Sequence, residues 1–228
     1  MAGDVMASSP AKAEILRRIR AAMGRTSTPD ADRVRAEWSG LARGYRRTAA
    51  LGREAVLELL EDRLRDYDAH VVRVGAADVL ATVAKMLAER GKRRMVVPAG
   101  LPPEWLPSGV EFVVDFMVDE GMTAAELDGF DGVMTGSTVA IAETGTVVLQ
   151  SVPGQGRRAV TLVPDYHLCV VPVEDVVETV PEAMARLEGT AGLATTFFSG
   201  PSATADIEMT RIKGVHGPRT LDVVLVDR

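Results

Sequence analysis

The sequence predicts an α/β fold with a largely parallel sheet, preceded by a helical arm. Between residues 53 and 128, short apolar β-branched runs alternate with segments of helical periodicity, which is the pattern of βαβ units. Apolar residues make up 46% of the 228 residues, enough to bury one sizeable core. Aromatics supply only 4%, so Val, Leu, Ala, Ile and Met must fill that core. The expected division is an arm over residues 1–50 and one α/β domain over residues 51–228.

In the arm, Ile15, Ile19, Ala22 and Met23 recur at helical spacing between Pro10 and Met23, with arginines on the other face. Gly24 and the cluster Thr26–Asp30 stop that helix. Residues 24–50 carry little pattern and are expected to wrap the surface or to be mobile. The body opens with a helix over Arg53–Arg65, whose apolar face is Val56, Leu57, Leu60 and Leu64. A strand over Ala69–Val74 and a helix over Ala77–Arg90 follow, the latter closed by Gly91. Strands are expected at Arg94–Val97 and Val110–Val114, and a short helix at Thr123–Leu127. Asp131–Gln150 reads as strand pieces broken by glycines. Tyr166–Val171 is an apolar strand, Val173–Leu187 a helix, Ala194–Phe198 a strand, and Leu221–Val226 the last strand.

The charge is uneven. Residues 1–50 hold ten Lys/Arg against five Asp/Glu, and the remainder holds sixteen against twenty-seven, which recovers the net of −6. A basic arm with no recognisable nucleic-acid-binding fold is a poor nucleic-acid module; folding onto an acidic surface is the simpler expectation. No stretch approaches the roughly 20 apolar residues of a membrane span, and Met1–Pro10 lacks a secretory pattern, so a cytoplasmic location is expected. The single cysteine, Cys169, excludes an intramolecular disulfide and any multi-cysteine zinc or iron–sulfur site within this chain. It lies in an apolar run and reads as a small buried hydrophobe. His70, His167 and His216 have no paired ligand spacing, so no metal is expected.

Three segments have residues suited to chemistry. Glu143 lies between an apolar strand and the turn Thr144-Gly145. A carboxylate there can take a proton, attack a carbonyl or bind a hydroxyl; a hairpin turn with an exposed glutamate is the alternative. Ser199-Gly200-Pro201-Ser202, with Thr204, Asp206 and Glu208 beyond, follows a strand and precedes an expected helical turn. Hydroxyls and backbone N–H groups at such a junction suit an anion, although Thr204 or Asp206 serves equally as a helix cap. Arg211 to Arg219 gathers three further cations and His216 among glycines, as a charged site or as a polar loop. Lys213 and Gly217 are its anion-binding candidates and His216 its proton donor. The loop Gly154-Gln155-Gly156-Arg157-Arg158 matches neither a dinucleotide fingerprint nor a P-loop and is expected to cover the site. If Glu143 and Ser202 end parallel neighbouring strands, then Glu143, Ser202, Thr204, Asp206 and His216 converge on one cleft.

These segments together resemble the lactate utilization protein C family, the stand-alone form of the lactate utilization (LUD) domain. The likeness is carried by Ile15-Leu16-Arg17-Arg18-Ile19-Arg20-Ala21-Ala22, Ala140-Ile141-Ala142-Glu143-Thr144-Gly145-Thr146, Gly156-Arg157, and Val163-Pro164 with His167. Gly200-Pro201-Ser202, Thr204, Asp206-Ile207-Glu208 and Gly214-Val215-His216-Gly217-Pro218 complete it. The resemblance implies a three-layer fold like that of the glucosamine-phosphate deaminase, ribose-phosphate isomerase and CoA-transferase group. It also implies a non-redox subunit of a system that oxidises L-lactate to pyruvate. The iron–sulfur clusters would sit in partner proteins and no cofactor in this chain, which would bind a small carboxylate or other anion. Glu143-Thr144-Gly145 resembles in part the nucleophilic glutamate of CoA transferases. The alternative is an independent enzyme, of transferase, isomerase or ligase type, on a phosphorylated or CoA-linked molecule. Self-association is open under either reading.

Overall fold

The structure is a computed structural model that describes residues 10–24, 30–116, 121–205, 211–213 and 216–227, with the main chain alone for 203–205 and 211–213. The chain divides into two compact units, Met1–Tyr45 and Arg46–Arg228.

In the first unit, α1 (Pro10–Ala22) follows the expected periodicity. Glu14 binds Arg17 at 2.7 Å and Arg18 at 2.8 Å, one turn on. A second helix, α2 (Ala31–Ser39), occupies part of the weakly patterned stretch, where no element was expected. It buries no residue and is held locally instead. Asp30 caps it by accepting from Asp32 N at 3.0 Å, and Arg43 stacks 4.9 Å from the Trp38 ring while donating to Trp38 O. A helix made by its cap rather than by an apolar stripe leaves no periodic signal.

The second unit opens with α3 (Arg53–Asp66), which buries Val56, Leu57, Leu60 and Leu64. Then come β1 (His70–Gly75), α4 (Val79–Glu89), β2 (Arg94–Pro98), β3 (Glu111–Asp115), α5 (Ala124–Asp128) and β4 (Gly132–Thr135). After β5 (Val139–Ile141) and β6 (Thr146–Gln150) the chain runs through β7 (Tyr166–Pro172), β8 (Val176–Val177), α6 (Val180–Leu187) and β9 (Thr195–Phe198). A hairpin of β10 (Ala203–Ala205) and β11 (Arg211–Lys213) precedes β12 (Thr220–Asp227).

The central sheet has six strands in the order β1-β12-β7-β4-β2-β3, all parallel. Its strands are apolar on both faces, as a sheet covered on both sides requires. One face, with Leu168, Val170, Val224 and Met134, packs against α4. The other, with Cys169, Val171, Val223 and Leu225, packs against α3 and a second sheet. That second sheet has four strands in the order β8-β5-β6-β9 and is mixed, with antiparallel β5–β6 and β6–β9 pairs. The parallel sheet is therefore as expected at the centre, while the strand pieces after Thr135 and the strand at Thr195 leave it for another layer.

One local expectation is corrected. The helix expected over Val173–Leu187 starts only at Val180, because Val176–Val177 pair with Ala140–Ile141. Thr179 and Glu182 then close a reciprocal capping box that fixes the start. Beyond Ser202, residues 203–205 and 211–213 pair as antiparallel strands, in which Thr204 opposes Ile212, while 206–210, where a helical turn was expected, lie outside the described residues.

Candidate functional site

A pocket of about 260 Å³ opens between the amino-terminal edge of the central sheet and the second sheet. His167 and Leu221, each the second residue of its strand and opposed in register, form its floor. Leu149 of β6 and Thr196–Phe198 of β9 form one wall, Ser199–Ser202 and His216–Pro218 the rim, and Arg158 and Thr161 the remaining side.

The rim is fastened at Ser202. Its N–H donates to Pro218 O at 2.7 Å, and its Oγ accepts from His216 N at 2.9 Å. Gly200 has φ +79°, and a methyl group on it would lie 2.4 Å from Tyr67 O, so the turn approaches the end of α3 more closely than any side chain allows. Gly145 repeats the arrangement with φ +58° and a methyl position 2.7 Å from Arg63 Cβ.

Of the residues singled out in the sequence, Gly200, Ser202, His216 and Gly217 line this pocket. Glu143, Thr144 and Gly145 do not. Glu143 sits in the tight turn between β5 and β6 rather than at the end of a parallel strand. Its half-exposed carboxylate is bound by Arg46, which also binds Glu178. The turn nonetheless lies beside the pocket rim. The antiparallel register Val147↔Phe198 puts the start of β6 against the end of β9. Thr144 Oγ1 bonds Thr146 Oγ1 at 2.7 Å, which bonds Ser199 Oγ at 2.7 Å. Antiparallel pairing, not the parallel edge expected, makes the two segments neighbours. Thr204 and Lys213 fall in β10 and β11 by main chain alone, and Asp206 and Glu208 lie outside the described residues.

Arg158, Thr161 and His167 were not among the site residues read from sequence. Arg158 donates to Thr161 Oγ1 at 3.2 Å, and burial holds its guanidinium below the ordinary arginine value. Among the described residues no carboxylate pairs with it. The neighbouring Arg157 differs, since it grips the buried Asp115 in two bonds of 2.9 and 2.8 Å. His167 is buried and its pKa is pushed down to about 3, by burial first and by the Arg158 charge second. Its Nε2 lies 2.8 Å from Thr135 Oγ1, and its ring tilts against Phe198 at 5.3 Å. Cys169, beneath Thr135, is buried, and its thiol is pushed up to about 12 by that burial. It has none of the exposure or positive surroundings of a reactive thiol.

A smaller crevice of about 130 Å³ at the carboxyl edge, bounded by Gly100, Gly136 and Gly154, has no charged lining residue. Among the described residues no three His, Cys, Asp or Glu side chains cluster as a metal site, and no helix is long and apolar enough to cross a membrane.

The LUD domain family model matches residues 57–226. Among curated relatives, the lactate utilization protein C of Deinococcus radiodurans is 44% identical over 180 residues, covering 78% of this chain and 82% of the relative. That of Macrococcus caseolyticus is 28% identical over 188 residues, covering 78% and 80%, and that of Geobacillus kaustophilus 26% over 215 residues, covering 85% and 88%. A crystal structure described as a DUF162 family protein from Deinococcus radiodurans is similar with a TM-score of 0.67 at 38% identity, covering 78% of this chain and 99% of that one. The matched span takes in every element from α3 to β12 and all the pocket residues, and the chain belongs to the LUD domain family.

Proposed function

We propose that this protein is a non-redox component of a lactate utilization system and that its pocket binds a small carboxylate. The relatives' name supports the system. The observation that carries the ligand class is Arg158, a guanidinium that lines the pocket, is bonded there to Thr161 Oγ1, and has no carboxylate partner among the described residues. A planar guanidinium matches a carboxylate in two parallel bonds. Thr161 and the rim hydroxyl of Ser202 add polar partners, while Leu149, Phe198 and Leu221 give a short apolar substituent a wall. Oxidation of L-lactate to pyruvate removes two electrons, which in this reading pass to iron–sulfur partner proteins. The part of this chain is to hold the acid and to assemble with those partners.

Calorimetric titration of the purified chain with L-lactate tests the ligand class. Binding should weaken on the order of ten- to a hundredfold in Arg158→Met, the worth of a charged hydrogen-bonded contact. Equal affinity in the wild type and in a folded Arg158→Met protein would sink the reading. Co-purification of iron–sulfur proteins with the chain from lactate-grown cells tests the assembly.

A further inference from the structure

Four groups form a continuous hydrogen-bonded row behind the pocket floor. Cys169 Sγ donates to Gly136 O at 3.5 Å, Thr135 Oγ1 donates to Cys169 Sγ at 3.7 Å, and Thr135 Oγ1 lies 2.8 Å from His167 Nε2. A threonine hydroxyl has one proton to give. With the histidine proton on Nε2, the row runs in one direction: imidazole N–H to hydroxyl, hydroxyl to thiol, thiol to carbonyl. Three protons then meet three acceptors. With the proton on Nδ1, the hydroxyl must turn to the ring nitrogen and the thiol loses its donor. An N–H would also face the pocket without an acceptor. The hydroxyl proton is given to the thiol and the thiol proton to the carbonyl, so the hydroxyl meets Nε2 with a lone pair and the first arrangement holds. Burial keeps the ring neutral, in agreement with its depressed pKa.

Nδ1 is then a bare lone pair. It has no partner among the described residues, and it is not sealed in: the only buried unpartnered side-chain polar atom among them is Ser137 Oγ. His167 lines the pocket, and with Nε2 engaged by Thr135, Nδ1 is the ring nitrogen left to a ligand. From this we infer that the pocket selects a 2-hydroxy acid over the corresponding 2-oxo acid, with Arg158 holding the carboxylate and His167 Nδ1 accepting the hydroxyl proton. The inference rests on the carboxylate reading of the same pocket. A hydroxyl donates to an acceptor nitrogen, whereas a ketone oxygen brings a second lone pair against the first and leaves both unsatisfied. The selectivity is therefore set by Thr135, Cys169 and Gly136, none of which lines the pocket floor beside His167. They act as positioning groups through the tautomer they impose.

Two measurements on the full chain test this. Nitrogen NMR of protein labelled in its histidines, with His167→Gln identifying the resonances, reads the tautomer directly; protonated Nε2 with bare Nδ1 is expected. Titration with L-lactate and pyruvate, and with glycolate and glyoxylate as a second pair, reads selectivity. The hydroxy acid of each pair should bind roughly three- to tenfold tighter, the worth of one net hydrogen bond. In Thr135→Val the preference should fall toward one while both acids still bind. If that variant does not fold, the wild-type tautomer and the two affinity ratios decide the matter alone. A protonated Nδ1, or equal binding of hydroxy and oxo acids that still depends on Arg158, overturns the selectivity and leaves the carboxylate reading standing. Absence of binding by all four acids overturns both.

Discussion

The imidazole of His167 titrates near pH 3 because the sheet removes it from water and Arg158 stands close by. In the unfolded chain the same group takes its proton near pH 6.5. Between those values the unfolded state binds the extra proton, so stability is lost as pH falls through this window. The slope from this one group is about 1.4 kcal/mol per pH unit. Urea unfolding from about pH 6.5 to about pH 5, above the ordinary carboxylate range, should show that slope in the wild type and a flatter one in His167→Gln. Parallel slopes would mean that the ring is already solvated in the folded chain. At this scale the sequence was partly legible. Gly200, Ser202, His216 and Gly217 were readable as a polar, glycine-rich rim, and Cys169 as inert. His167 was not, and Arg158 was read only as part of the loop expected to cover the site. Alternation along β7 places His167 on one face of the sheet, but what covers that face is β9, some thirty positions further along the chain.

Among the elements, those that announced themselves did so by periodicity. The four buried residues of α3 are the four read from its spacing. The elements that misled have their limits set by caps and pairings. In α6 the apolar pattern runs on toward Val173, yet the chain there is claimed by the β5–β8 pair, and Thr179 makes the true beginning. Thr179 is nearly fully buried, and both its N–H and its hydroxyl contact Glu182. Thr179→Ala should therefore cost about 1 kcal/mol, the usual worth of an N-cap hydroxyl, seen as a lower urea midpoint with an unchanged slope. An unaltered midpoint would show that α6 is held by packing of Ala183 and Leu187 alone. The β5–β6 turn illustrates the same limit. A three-residue strand, a glycine turn and a second strand are equally compatible with a parallel edge and with a hairpin, and only the pairing partner separates them.

For the molecule as a whole, the informative boundary lies at Arg46. From there the chain runs along the second sheet. Arg46 binds Glu143 and Glu178, and the N–H groups of Ala50 and Leu51 donate to Glu178 at 2.7 and 2.8 Å. Glu178 keeps only 2% of its side chain exposed, and these contacts hold its carboxyl below the ordinary range, the Leu51 N–H most of all. A chain that begins at Arg46 should melt cooperatively. One that begins at Leu51 should melt at a lower temperature, because a buried carboxylate loses its cation and one of its two N–H donors. Equal melting temperatures for the two would show that this strap carries no stability.

The close approaches at Gly145 and Gly200 have a consequence for how the family can vary. In both places the last turns of α3 press on a loop glycine, with the Cβ as well as the main chain of Arg63 and Tyr67 at the contact. The spacing of that junction therefore rests on there being no Cβ at positions 145 and 200. A relative with alanine at either glycine must have shifted the helix, and with it both loops at once.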